Sequence, residues 1–320
     1  MPNKIIEVEN LSKVFKISRT KKLRAVDNVS FYIKKGETLG IVGESGCGKT
    51  TLSRVIMGIY KPTEGRVIYE GNTIDYSSKN HMAEYSKKMQ MIFQDPYASL
   101  NPRMTVSEII SEGWAYKRMY PKKVQQEKAI ELLEVVGLNK EHANRFPHEF
   151  SGGQRQRIGI ARALSMDPEV IICDEPISAL DVSIQAQVMN LLFDLQKEKN
   201  LTYLFIAHDL SMIRYISTNI MVMYLGSEME FGSSNAINNH PLHPYTEALF
   251  SANPVPDPDI EKNRQRIMLT GEIPSPINAP PGCKFSTRCK YAKDICKKEV
   301  PKLREIHEGH YCACHFPLDY

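Results

Sequence analysis

The chain has 320 residues, 42% hydrophobic and 24% charged, a balance that suits one large or two modest globular domains and excludes a largely disordered chain. Its 41 basic and 37 acidic residues leave a net charge of +4, too little to point to nucleic acid or an acidic lipid surface by electrostatics alone. No apolar run approaches the about 20 residues of a membrane-spanning helix, and Met1-Pro2-Asn3-Lys4 opens without the apolar segment of a signal peptide, so a soluble chain that stays inside the cell is expected.

Residues 5–10 and 28–42 read as strands. Val29-Ser30-Phe31-Tyr32-Ile33 alternates, and Leu39-Gly40-Ile41-Val42 is a continuous apolar run suited to a buried parallel strand. Residues 105–136 carry helical spacing interrupted around Pro121, residues 158–164 read as another helix, and Val170-Ile171-Ile172-Cys173 and Tyr203-Leu204-Phe205-Ile206 as further buried strands. The alternation predicts an α/β fold with a mostly parallel sheet, helices on both faces, and ligands at the carboxyl ends of strands. After residue 240 prolines accumulate, at 241, 244, 254, 256, 258, 274, 276, 280 and 281, and the helical pattern is confined to residues 243–252. That change places a boundary near 240, between segments 1–240 and 241–320.

The octet Gly43-Glu44-Ser45-Gly46-Cys47-Gly48-Lys49-Thr50, followed by Thr51, is a full phosphate-binding pattern after a buried strand. Its glycines let the backbone wrap closely around a polyphosphate, so that successive N–H groups and the next helix N-terminus meet negative charge. Lys49 reaches the β- and γ-phosphates, and the Thr50 hydroxyl is a ligand for Mg²⁺. An ordinary Gly-rich turn rarely meets all eight positions. The strand ending at Cys173 is followed by Asp174, placed to hold the metal through water, and Glu175, placed to polarise an attacking water. Without the loop, two solvated acids before Pro176 would be the simpler reading.

Between these elements lies Phe150-Ser151-Gly152-Gly153-Gln154-Arg155-Gln156-Arg157, a second Ser/Gly helix start suited to an anion. One phosphate chain does not need two such loops in one polypeptide. The octet resembles the signature motif of ATP-binding cassette (ABC) ATPases, in which the motif of one subunit closes over nucleotide held by the other. The resemblance spans residues 4–240 and implies roles for further residues. Phe15 corresponds to the aromatic that stacks on adenine, where core packing would otherwise be the ordinary reading. Gln94 matches the glutamine that senses the γ-phosphate, the metal and the membrane partner, Ser178-Ala179-Leu180-Asp181 the loop that communicates across the dimer, and His208 the switch histidine. The resemblance thus implies nucleotide contacts from Phe15, residues 43–51, Gln94, Ser151, Gly153, Gln154 and Asp174. It implies Mg²⁺ contacts from Thr50, Gln94 and Asp174, and catalysis by Lys49, Gln94, Glu175 and His208.

Glu175 through Gln187 further resembles the import-type ATPases of oligopeptide and dipeptide transporters, the second, F-type member of the pair above all. Pro241-Leu242-His243-Pro244-Tyr245-Thr246 and Gly271-Glu272-Ile273-Pro274-Ser275-Pro276 resemble the C-terminal extension of that group. This implies a peripheral subunit on the cytoplasmic face of the membrane, working with a second ATPase, two permeases docked near Gln94 and residues 95–103, and indirectly an external solute-binding protein. Nickel or another metal chelate is the alternative cargo. A soluble ABC ATPase acting on ribosomes or DNA is disfavoured, because a second cassette and an inserted coiled coil are both missing.

Five of the seven cysteines, Cys283, Cys289, Cys296, Cys312 and Cys314, crowd into the extension. Disulfides do not suit a cytosolic chain, and the paired knuckle usual for structural zinc is missing, though zinc and plain reduced thiols stay open. The cluster resembles the C-terminal motif of peptide-importer ATPases, some of which bind a [4Fe-4S] cluster, and this implies Cys283, Cys289, Cys296 and Cys314 as its ligands.

Overall fold

In strand β1 (Lys4–Lys16), Ile6 and Val8 are buried while Glu7 and Glu9 are not, the alternation of a half-buried strand. Asn10, in the left-handed region with φ 48°, shifts the register so that Leu11 is buried again, which carries the strand six residues past the expected end. The computed structural model describes residues 3–207, 209–252, 267–269 and 271–318; His208 lies outside them. The chain divides into two compact units, residues 1–73 with 206–320, and residues 74–205.

In the first unit, β1 is followed by β2 (Lys22–Lys34), β3 (Thr38–Val42), α1 (Lys49–Ile56), β4 (Glu64–Tyr69) and β5 (Asn72–Thr73). The single strand expected over 28–42 is therefore two, separated by a turn at Lys35 and Gly36. One antiparallel sheet runs β2-β1-β4-β5.

The second unit contains α2 (Lys79–Lys88), β6 (Met89–Ile92), α3 (Val106–Lys117), α4 (Lys122–Val135), α5 (Gly152–Leu164), β7 (Val170–Asp174), α6 (Val182–Lys199) and β8 (Thr202–Ile206). Strands β8, β7 and β6 are neighbours in that order, with β6 and β7 parallel. Every residue of β7 and β8 is buried, as their unbroken apolar runs require. The break foreseen near Pro121 is real: Arg118, with φ 51°, closes α3, and Pro121 is the N-cap of α4. Thr105 and Glu108 cap the start of α3 reciprocally, and the Trp114 indole donates to the Ser165 carbonyl at 2.7 Å, tying α3 to the end of α5.

The first unit resumes with α7 (Leu210–Ile216), β9 (Asn219–Tyr224), β10 (Ser227–Ser233), α8 (Ser234–Asn239), α9 (Pro244–Ser251), α10 (Asp294–Lys298), β11 (Arg304–His307) and β12 (His310–Cys312). Its second set of strands runs β11-β12-β10-β9-β3. Only β3 and β9 are parallel in this set; β9, β10, β12 and β11 are antiparallel. The expected α/β class holds, with more antiparallel pairing than periodicity suggested. Among the described residues no helix is long and apolar enough to cross a membrane.

Strand β10 buries two carboxylates. Glu230 is fully satisfied, accepting from the backbone N–H groups of Leu242 and His243 at 2.8 Å each and lying 2.7 Å from His310 Nε2. Glu228 accepts from the Ser30 backbone, but its Oε1 finds no hydrogen-bond partner, and burial pushes its pKa up to about 8 from 4.5. A raised folded-state value means that the stability tied to its proton is complete below pH 4.5 and is lost as pH rises to about 8. Glu228→Gln is expected to flatten the fall in melting temperature across that interval; an unchanged pH profile would exclude Glu228 as its source.

Candidate nucleotide site

Residues 43–50 link β3 to α1, so the loop leaves a fully buried strand and its last two residues begin a helix. A side chain has no room here: a Cβ on Gly43 would lie 2.2 Å from the Met223 carbonyl oxygen, and one on Gly48, where φ is 105°, 2.2 Å from that of Ala25. The loop is thus seated on the backbone of β2 and β9, and the Cys47 carbonyl accepts from Gly226 N–H at 2.8 Å. Lys49 is buried, its amine donating to the carbonyls of Gly43 at 2.7 Å and Glu44 at 3.2 Å. Ser45 and Gly46 are exposed, Thr50 and Thr51 half-buried. Burial raises the Cys47 thiol, so this residue acts as packing and not as a thiolate. Phe15 is half-buried, edge-on to Tyr60 with ring centroids 5.5 Å apart, and the Lys13 amine lies over its ring at 5.2 Å.

The other predicted residues lie in the second unit. Asp174 closes β7, 3% exposed, and Glu175 follows at 6%. Glu175 has φ 50°, a strained setting for a residue with a side chain, and such settings gather at functional sites. Its carboxylate accepts from Gln94 Nε2 at 2.5 Å, and its carbonyl accepts from the Ser178 hydroxyl at 3.1 Å. Two residues 81 apart in sequence are thereby joined, and the 178–181 loop is tied to the acid. Ser151 is the N-cap of α5: its hydroxyl accepts from Gln154 N–H, and Gln154 Oε1 accepts from Ser151 N–H at 3.0 Å. The helix starts at Gly152, six residues before the periodic stretch, because this reciprocal cap satisfies its first turn. A Cβ on Gly153 would sit 2.4 Å from Ile184 Cγ2, so that glycine sets how closely α5 meets α6.

Residues 26–178 match the family described as ABC transporter, and residues 229–296 the C-terminal region of oligopeptide/dipeptide transporters. The oligopeptide transport ATP-binding protein OppF of Bacillus subtilis is 54% identical over 316 residues, covering 98% of this chain and 97% of its own. AppF of the same organism, also an oligopeptide transport ATP-binding protein, is 53% identical over 318 residues, covering 97% of each. The chain belongs to the ABC transporter ATP-binding family. Among solved structures, the dimeric ATP-binding cassette MJ0796 in its post-hydrolysis state, bound to ADP and Pi, is 29% identical with a TM-score of 0.66, covering 72% of this chain and 99% of that one.

In this ABC ATPase the four cysteines singled out from the sequence, Cys283, Cys289, Cys296 and Cys314, line one small pocket with Phe285, Tyr291 and Phe316. The Cys283 N–H donates to the Cys296 carbonyl at 2.8 Å, which joins two of the segments. Cys312 lies in β12 opposite Glu230 and Arg304, away from that lining. Burial pushes Cys283 and Cys314 up to about 11. Among the described residues no group of three or more His, Cys, Asp or Glu side chains closes tightly enough to hold a single metal ion. Tetrahedral zinc, with Zn–S near about 2.3 Å, would need its sulfurs within about 4 Å of each other.

Sequence reasoning missed Tyr245 and Arg288 as neighbours of the phosphate loop. The Glu44 N–H donates to Tyr245 Oη at 2.9 Å, and Arg288 pairs with the Glu44 carboxylate. The chain separations are 201 and 244 residues, and no local pattern announces either contact. Gly153→Ala is expected to destabilise this unit by about 1–3 kcal/mol through overpacking against Ile184. Urea unfolding measures it, and Ile184→Ala in the same chain should recover part of the loss.

Proposed function

We propose that this ABC ATPase hydrolyses ATP to power peptide import through membrane permeases, as the second ATPase of such a system. The observation that carries hydrolysis is the Gln94–Glu175 pair: a buried carboxylate in strained backbone, directly after a metal-competent Asp174, held by an amide from a different segment. Lys49 and the N–H groups of residues 43–51 bind the phosphates, Phe15 stacks on adenine, and Thr50, Asp174 and Gln94 hold Mg²⁺. Glu175 polarises the water that attacks in line, and His208 senses the γ-phosphate. Ser151, Gly153 and Gln154 face the nucleotide of a partner ATPase, since a capped helix start with exposed Ser151 suits a phosphate brought from outside the chain. The dimeric MJ0796 cassette supports that arrangement.

Peptide as cargo rests on identity above 50% to oligopeptide transport ATP-binding proteins, continuous through residues 229–296, which match the C-terminal region of oligopeptide/dipeptide transporters. A cavity of about 1200 Å³ bounded by Arg103, α3 and the start of α4, with Tyr116 and Met119 exposed beside it, supports permease docking close to residues 95–103. Such docking puts the chain at the cytoplasmic face of the membrane, with the solute-binding protein reached only through the permeases.

A [4Fe-4S] cluster takes four thiolates, and what supports that reading is that the four cysteines line one pocket. Cys283, Cys289, Cys296 and Cys314 would hold it; when bound, it supplies four iron–sulfur bonds that staple the extension. Anaerobically purified protein should be brown, with broad absorption near about 400 nm; an iron-free, colourless preparation rejects the assignment. Glu175→Gln is expected to keep ATP binding and lower turnover by about 10²–10⁴-fold. Hydrolysis unchanged in the purified variant would remove Glu175 from its role.

A further inference from the structure

The second residue of the phosphate loop is an acid, in a loop built to receive a polyanion. Glu44 is half-buried, and its carboxylate is gripped on both oxygens by Arg288, Nη1 to Oε2 at 2.7 Å and Nη2 to Oε1 at 3.0 Å. Arg288 is 7% exposed in its side chain and lies against Tyr224, whose hydroxyl accepts from it at 3.4 Å. The same glutamate's N–H is held by Tyr245, whose ring packs on Tyr224 at 4.8 Å and on Phe285 at 5.3 Å. Both the charge and the backbone of Glu44 are therefore fixed from the C-terminal extension. A second basic residue works on the same region. Lys284 donates to Asp27 at 2.7 Å, Ser227 at 2.7 Å and the Leu225 carbonyl at 2.9 Å, holding the turn whose Gly226 N–H bonds the Cys47 carbonyl. Lys284 directly follows Cys283, and Arg288 directly precedes Cys289.

We propose that Arg288 is a positioning residue of the nucleotide site: by neutralising and fixing Glu44, the cysteine-bearing extension sets the affinity of the phosphate loop for ATP. The inference rests on reading residues 43–50 as the ATP loop. Without Arg288, the Glu44 carboxylate stands uncompensated where phosphate charge must enter, and the two negative charges repel in a poorly screened setting. A structural contact alone would predict that removing Glu44 as well leaves the loss as it stands, since the contact is already broken. Charge neutralisation predicts instead that removing the acid relieves the loss of the base.

The test is MgATP affinity of the full-length protein by calorimetry, with KM and kcat beside it. Arg288→Ala should weaken MgATP binding roughly tenfold, inside the usual range for coupled sites, and raise KM with a smaller change in kcat. Adding Glu44→Gln to Arg288→Ala should restore most of the lost affinity, which a merely structural contact would not do. Arg288→Gln, similar in length and polar, makes the same comparison if the alanine variant does not fold. Wild-type affinity in both Arg288 variants, or no recovery when Glu44→Gln is added, overturns the inference. Failure of the wild-type protein to bind MgATP overturns instead the reading of the loop.

Discussion

Two backbone approaches decide the geometry of the first unit: Gly43 against the Met223 carbonyl and Gly48 against the Ala25 carbonyl, each leaving no space for a Cβ. A loop that must offer its N–H groups to a ligand cannot also bond them to a sheet ladder, so it has to be held by other means. Here the means are steric seating on β2 and β9, the Gly226–Cys47 bond and the inward Lys49 amine. Strand β9, 180 residues on from β3, carries the Met223 carbonyl against which the loop lies.

Charge is arranged with the same economy. The interior of the first unit holds Glu228, Glu230, His243 and His310, and Glu230 organises the last three: it accepts two backbone N–H groups and meets His310, while burial drives His243 down to about 4 and keeps it neutral, its Nε2 left without a hydrogen-bond partner. That set pins residues 242–243 and so orients the start of α9, which delivers Tyr245 to the phosphate loop. The Pro-rich motif read from the sequence as a family mark has this physical content. His243 caps the helix through Nδ1, and Pro244 occupies the first helical position where no N–H is needed.

Much of this was legible in the sequence where one local rule decides. The phosphate loop, the buried runs of β3, β7 and β8, the break at Pro121 and the helix over 244–251 follow from spacing, burial and proline chemistry. The antiparallel strands β10, β11 and β12 were not legible, because β10 buries Glu228 and Glu230 and so hides its alternation behind acids that only tertiary partners tolerate. Helix α5 was read too short, since the glycines opening it argue against a helix until the Ser151–Gln154 cap is seen. Glu175 was identified by its neighbours in sequence, but its left-handed backbone and its bond to Gln94 depend on the fold. Nothing local marks Arg288 as the partner of Glu44, 244 residues away.

The first unit is split in sequence, with 74–205 standing between its halves. Strand β3 pairs with β9 across Leu39 and Asn219, so the wait at the ribosome between the two is about 10–35 s at 5–20 residues per second. The second unit, by contrast, is one continuous stretch and can begin to fold as it emerges. Residues 206–320 therefore join residues 1–73 only after residues 74–205 have been made. A chain cut short before residue 288 carries every nucleotide motif, yet leaves Glu44 without its counter-charge. The surroundings of the phosphate loop are in this sense assembled from segments made far apart in time.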